Sequence, residues 1–70
     1  MKPALIQISD SVFLASHIAA IWPDEDDPMY ICVQLDCTET EFGAGPFRSQ
    51  PERDRAFIRA VDDWNTFLTQ

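Results

Sequence analysis

Residues 29–36 read Met-Tyr-Ile-Cys-Val-Gln-Leu-Asp. Ile31, Val33 and Leu35 alternate with Tyr30, Cys32, Gln34 and Asp36, and most of these residue types favour a pleated strand. One face is aliphatic and belongs on a core. The other grades from aromatic at Tyr30 to charged at Asp36 and meets water or a partner. Two shorter apolar runs come earlier. Residues 4–8 place Ala4, Ile6 and Ile8 on one side, and residues 12–14 are Val-Phe-Leu. Between them lies Ser9-Asp10-Ser11, whose short polar side chains can bond their own backbone in a turn. Together they predict a hairpin.

Residues 15–22 fit either a helix running on from Ser11 or a turn at Ala15-Ser16-His17 followed by a strand over 18–22. The next segment favours turn and strand. Pro23-Asp-Glu-Asp-Asp-Pro28 is a short polar loop between two apolar runs of similar length, the layout of a hairpin. Pairing 18–22 with 29–36 makes the latter the centre of the sheet. Beyond Asp36 the alternation has to break, because an unbroken strand would turn Glu39 and Glu41 onto the aliphatic face. Burying two unpaired carboxylates costs far more than a turn. The expectation is a turn or bulge at Cys37-Thr38-Glu39, then a last strand over 40–44 with Phe42 inward, ended by Gly43-Ala44-Gly45-Pro46.

From Ser49 the period changes from two to three and four. Ser49-Gln50-Pro51-Glu52 fits a capping box, with the Ser oxygen on the amide of Glu52 and the Glu reaching back. Pro51 sits in the first turn, where its missing amide hydrogen costs nothing. Phe57, Ala60, Val61, Trp64, Phe67 and Leu68 form an apolar stripe, and Arg59 stands three and four residues before Asp62 and Asp63 for ion pairs on the wet side. The fold class predicted is α+β: a mostly antiparallel sheet of four or five strands with one C-terminal amphipathic helix on one face, in a single domain spanning 1–70.

Charge sharpens this picture. The chain carries −7 overall, and residues 1–47 hold all of the excess, with eight acids against Lys2. Residues 48–70 balance Arg48, Arg53, Arg55 and Arg59 against Glu52, Asp54, Asp62 and Asp63. Direct nucleic-acid binding is not expected, since phosphate contacts need clustered cations, and an anionic membrane would repel the chain. The plain reading of the acidity is solubility; the sharper one is a basic partner. No run approaches the roughly 18 apolar residues of a membrane helix, and the start does not read as a signal peptide. Cys32 and Cys37 lie five residues apart, so on one straight strand they point to opposite faces. Neither a disulfide framework nor the close pairing of a zinc site follows, and buried free thiols in a reducing cytoplasm are expected.

Each candidate for chemistry has a plainer counterpart. His17, with Asp10 or Asp36, makes a triad on paper, but a surface histidine is the commoner case. Catalysis by Cys32 or Cys37 would have to overcome an acidic surround that raises a thiol's pKa. Asp24-Glu25-Asp26-Asp27 lacks the Gly and Glu positions of an EF-hand loop and reads as a solvated hairpin tip. Gly43-Ala44-Gly45 lacks the Lys and hydroxyl residue of a phosphate loop. Trp22, beside Pro23 and the acidic loop, either joins a binding surface or closes the sheet's edge. No cofactor, metal ligand set or catalytic set is expected, and the protein reads as a non-enzyme.

What remains is a surface. Asp24, Glu25, Asp26 and Asp27 lie at one end of the central strand and Asp36, Glu39 and Glu41 at the other, with Trp22 alongside. Carboxylates spaced on a rigid scaffold can imitate a duplex, which carries one charge per about 1.7 Å of axis. The chain shares its short, acidic, single-domain character with the small inhibitors that phages deploy against CRISPR and restriction machinery, though no motif. The expected function is an acidic protein-binding module, an inhibitor or adaptor docking on a basic, nucleic-acid-binding surface of a partner protein. The alternative is a structural or assembly subunit that self-associates, as a homodimer for instance, through a free sheet edge. Neutralising the acidic loop should leave packing undisturbed.

Overall fold

The computed structural model describes residues 4–69. Its elements are β1 (Leu5–Ile8), β2 (Ser11–Leu14), a 3₁₀ turn (Ala15–His17), β3 (Ile18–Pro23), β4 (Ile31–Leu35), β5 (Glu41–Ala44) and α1 (Gln50–Leu68). The architecture is α+β, with five antiparallel strands and a C-terminal helix packed against strands. The strands divide into a two-stranded sheet, β1–β2, and a three-stranded sheet in the order β3–β4–β5. The expected single sheet is split because the 3₁₀ turn after Leu14 redirects the chain, with Ala15 buried at the corner.

The first hairpin pairs Ile6 with Phe13 and Ile8 with Ser11 across a two-residue turn at Ser9 and Asp10. Ser9 carries a positive φ of 55°, which a short polar side chain tolerates better than a branched one. Ile6 and Ile8 point inward and are buried, whereas Ala4, before the strand, is exposed. In the second sheet β4 is central, as its alternation requires. Ile31 and Val33 are fully buried, and their neighbours Pro23, Ala44, Ile21 and Phe42 share that face. A bulge at Ala19 shifts the register between Ile18–Leu35 and Ala20–Gln34, so Ile18 and Ile21 both face inward although three residues apart.

α1 packs on β1, β3 and the 3₁₀ turn, and Ala60 enters the core against which Ala56, Phe57, Trp64 and Phe67 pack. The Ser49 hydroxyl accepts the Glu52 N–H at 3.3 Å, as expected. The Glu52 carboxylate reaches one residue further back than the box requires and accepts the Arg48 N–H at 3.2 Å.

Several expectations are corrected. Phe42 has the inward direction but stays 40% exposed, because β5 is an edge strand; its ring leans on Phe13 with centroids 6.4 Å apart. Leu68 falls outside the stripe and is exposed. The stripe instead starts with Arg53, which is buried. Arg59 forms no ion pair with Asp62 or Asp63; it lines a shallow cleft with Leu5, Gln7, Arg55 and Asp63. No helix among the described residues is long and apolar enough to cross a membrane.

Candidate protein-docking face

The helix and the first hairpin cover the inner side of β3–β4–β5 and leave its other side facing away from the core. There the register aligns Trp22, Cys32 and Gly43 in one row and Ala20, Gln34 and Glu41 in the next. Trp22, Cys32 and Gln34 are half-buried, and Glu41 and Gly43 are exposed. Trp22 thus lies half-buried on the outer face, in the edge strand β3.

The loop from Asp24 to Tyr30 closes one end of this face. The Asp24 carboxylate accepts the N–H groups of Asp26 at 2.9 Å and Asp27 at 3.3 Å, and the Asp27 carboxylate accepts that of Met29 at 3.0 Å. These are Asx-type turns, in which the side chain takes the place of a backbone acceptor. Asp24 and Asp27 therefore brace the loop through acceptor oxygens that an Asn in their place would keep, so removing their charge and removing their oxygens are separate changes. Glu25 and Asp26 are left exposed at the tip. The base of the loop is tied twice through the Tyr30 carbonyl, which accepts the Asp24 N–H at 3.2 Å and the Arg53 Nη1 at 3.1 Å. Arg53 also donates through Nε to Asp54 at 2.8 Å. The sequence did carry a signal for it: Arg53 stands three and four residues before Ala56 and Phe57, on the core side of the helix. Gly45 completes the base, with φ 148° and the site of a Cβ only 2.6 Å from the Met29 carbonyl.

The environment of Cys32 shows where the carboxylates converge. Burial pushes its thiol pKa up first, then the negative charge of Asp24 and a side-chain hydrogen bond to it, then Glu41 and Asp26. The acidic surround expected to hold a thiol protonated is present. The charges of Asp24, Glu41 and Asp26 thus reach the Cys32 thiol, and the register sets Glu41 on the Trp22–Cys32 side of the sheet. Asp27 is turned into its loop, and Glu39 is exposed in the 36–40 connection.

Asp36 belongs to a different group. It lies at the far end of β4, exposed, with a carboxylate oxygen 4.0 Å from His17 Nδ1, so Asp36 rather than Asp10 is the acid beside the histidine. Cys37 is exposed in the turn that follows, which corrects the expectation of two buried thiols; both are free. The donor atoms of His17, Asp36 and Cys37 lie within 4.8 Å of one another, a juxtaposition absent from the linear pattern. The two shallow clefts beside the helix lie elsewhere, near Ser9 and Glu52. Among known proteins, no family model, no curated protein and no solved structure matches the chain.

Proposed function

We propose that this protein is a non-enzymatic acidic module that binds a partner protein through the outer face of β3–β4–β5. The observation that carries this reading is that Trp22, Cys32 and Glu41 share the side turned away from the core, where the charges of Asp24, Glu41 and Asp26 act on the Cys32 thiol. A half-buried aromatic in a rim of carboxylates suits a basic surface: the ring supplies apolar contact and the rim supplies long-range attraction. Nucleic-acid-binding surfaces carry clustered Lys and Arg, and an inhibitor or adaptor of such a protein, working in the cytoplasm where free thiols persist, is the concrete form of the proposal. The test is affinity capture from native lysate at low and high salt, with the parent chain and a Glu25→Gln, Asp26→Asn, Glu41→Gln variant. The proposal expects one or more basic proteins held by the parent, released by salt and lost by the variant. Equal recovery by parent and variant would contradict it.

Self-association is the second reading, favoured by a specific observation on the other sheet. Leu5 and Leu14 face each other across β1–β2, Val12 lies on the same side, and all three are more than half exposed. A dimer formed there would persist at high salt, because apolar contact is not screened. Sedimentation of the parent and of Leu14→Lys separates the two readings.

A further inference from the structure

We propose that His17, Asp36 and Cys37 form a surface site for a borderline-soft divalent metal ion, zinc foremost, independent of the docking face. Three donor types meet there: an imidazole nitrogen, a carboxylate oxygen and a thiol sulfur, all within 4.8 Å of one another. Zinc takes these donors at about 2.0–2.3 Å, which sets tetrahedral neighbours roughly 3.3–3.8 Å apart. The present donor separations exceed that spacing by no more than roughly 1.5 Å. All three residues are exposed, so solvent can supply a fourth ligand.

The backbone beneath the site is already fixed. The Asp36 N–H donates to the His17 carbonyl at 2.8 Å, clamping the end of β4 to the residue before β3. Gln34 Nε2 donates to the carbonyls of Leu35 at 3.0 Å and Thr38 at 2.6 Å, bracketing the turn that presents Asp36 and Cys37. Three ligands on a pinned turn lose less freedom on binding than three on a loose chain. The donor set also selects the ion. Calcium and magnesium want oxygen ligands, and one carboxylate beside a sulfur and a nitrogen is a poor site for either. The acidic loop is the reverse case, all oxygen, with Asp24 and Asp27 already holding backbone amides. Binding displaces the thiol proton to solvent as the Cys37 sulfur–metal bond forms, so affinity falls as pH is lowered.

The test is a titration of the full chain, kept reduced, with Co²⁺, read by the thiolate-to-metal charge-transfer absorption and then by displacement with Zn²⁺. The expected result is one ion per chain. Cys37→Ser abolishes the charge-transfer band, His17→Ala weakens binding by roughly tenfold or more, and Cys32→Ser leaves both band and affinity as in the parent. Circular dichroism of each variant checks that the fold persists. Should one variant unfold, parent stoichiometry and the remaining variants still decide. No band at one equivalent, a band that follows Cys32, affinity unmoved by His17→Ala, or one ion per two chains would each overturn the site.

Discussion

The two ends of the central strand β4 carry the chain's two cysteines in opposite settings. At the Asp24–Tyr30 end, Cys32 is half-buried, hydrogen-bonded to Asp24 and overlooked by carboxylates that hold its proton on. At the other end Cys37 is exposed in a turn, beside an imidazole and a single carboxylate. The first end offers charge carried on oxygen alone, with Asp24 and Asp27 engaged by backbone amides and Glu25 and Asp26 exposed. The second offers free donors with little charge. Charge acts at a distance on large partners, whereas donor atoms act by direct bonding to an ion. The same residue type therefore meets two different chemical settings, according to what the strand ends place around it.

The sharpest way to break this contrast is to remove the support beneath the charged end. Gly45→Ala would set a Cβ 2.6 Å from the Met29 carbonyl at a φ of 148°, so thermal melting should show a loss of about 2–3 kcal/mol, with the loop disturbed most. Next in size is Arg53→Met, which keeps apolar volume but removes the guanidinium from the Tyr30 carbonyl. A charge-assisted bond of this kind is worth about 1.5–3 kcal/mol, and denaturant titration should show a drop in that range. Asp24→Ala should cost about 1 kcal/mol through its two amide bonds, whereas Glu25→Gln with Asp26→Asn should stay within about 0.5 kcal/mol of the parent. Equal losses in those two variants would show that the carboxylates do not divide into structural and free ones.

The thiols give the smallest and most local test. With its pKa raised in the folded state, Cys32 keeps a proton that the unfolded chain loses first. Its contribution to stability is therefore complete below the ordinary thiol value of about 8.5 and is lost as pH rises through the folded value. Cys32→Ser should flatten that alkaline decline. Alkylation followed by peptide mass mapping should place the midpoint for Cys32 above about 8.5 and show Cys37, the more exposed thiol, modified first at neutral pH. Cys32 reacting ahead of Cys37 at neutral pH would refute the difference between the ends.

Much of the fold was legible because two periods run through the chain with little interference. Ile31, Val33 and Leu35 at spacing two, and Phe57, Ala60 and Trp64 at three and four, name their elements directly. The division into two sheets was not legible, because it depends on the angle at which the Ala15–His17 turn sends β3 away from β2. The bulge at Ala19 had a trace in the odd spacing of Ile18 and Ile21. Phe42 was read correctly for direction but not for cover, since the reach of a helix across a sheet is a tertiary property. At the site, the charge of the 24–27 run was plain, but which carboxylates hold amides depends on loop geometry. His17 meets Asp36 and Cys37 only through the β3–β4 pairing, and no linear spacing reports it.

Docking of the outer face of β3–β4–β5 by charge is what the proposed function requires. The most direct measurement is the association rate with the captured partner across a range of salt concentrations, for the parent and for Glu25→Gln, Asp26→Asn, Glu41→Gln. Steering charge acts mainly on the on-rate, so the parent rate should fall steeply with salt, and the variant should associate more slowly with a flatter dependence while melting like the parent. The same rate and the same salt slope in both would contradict the account and leave the −7 as solubility alone.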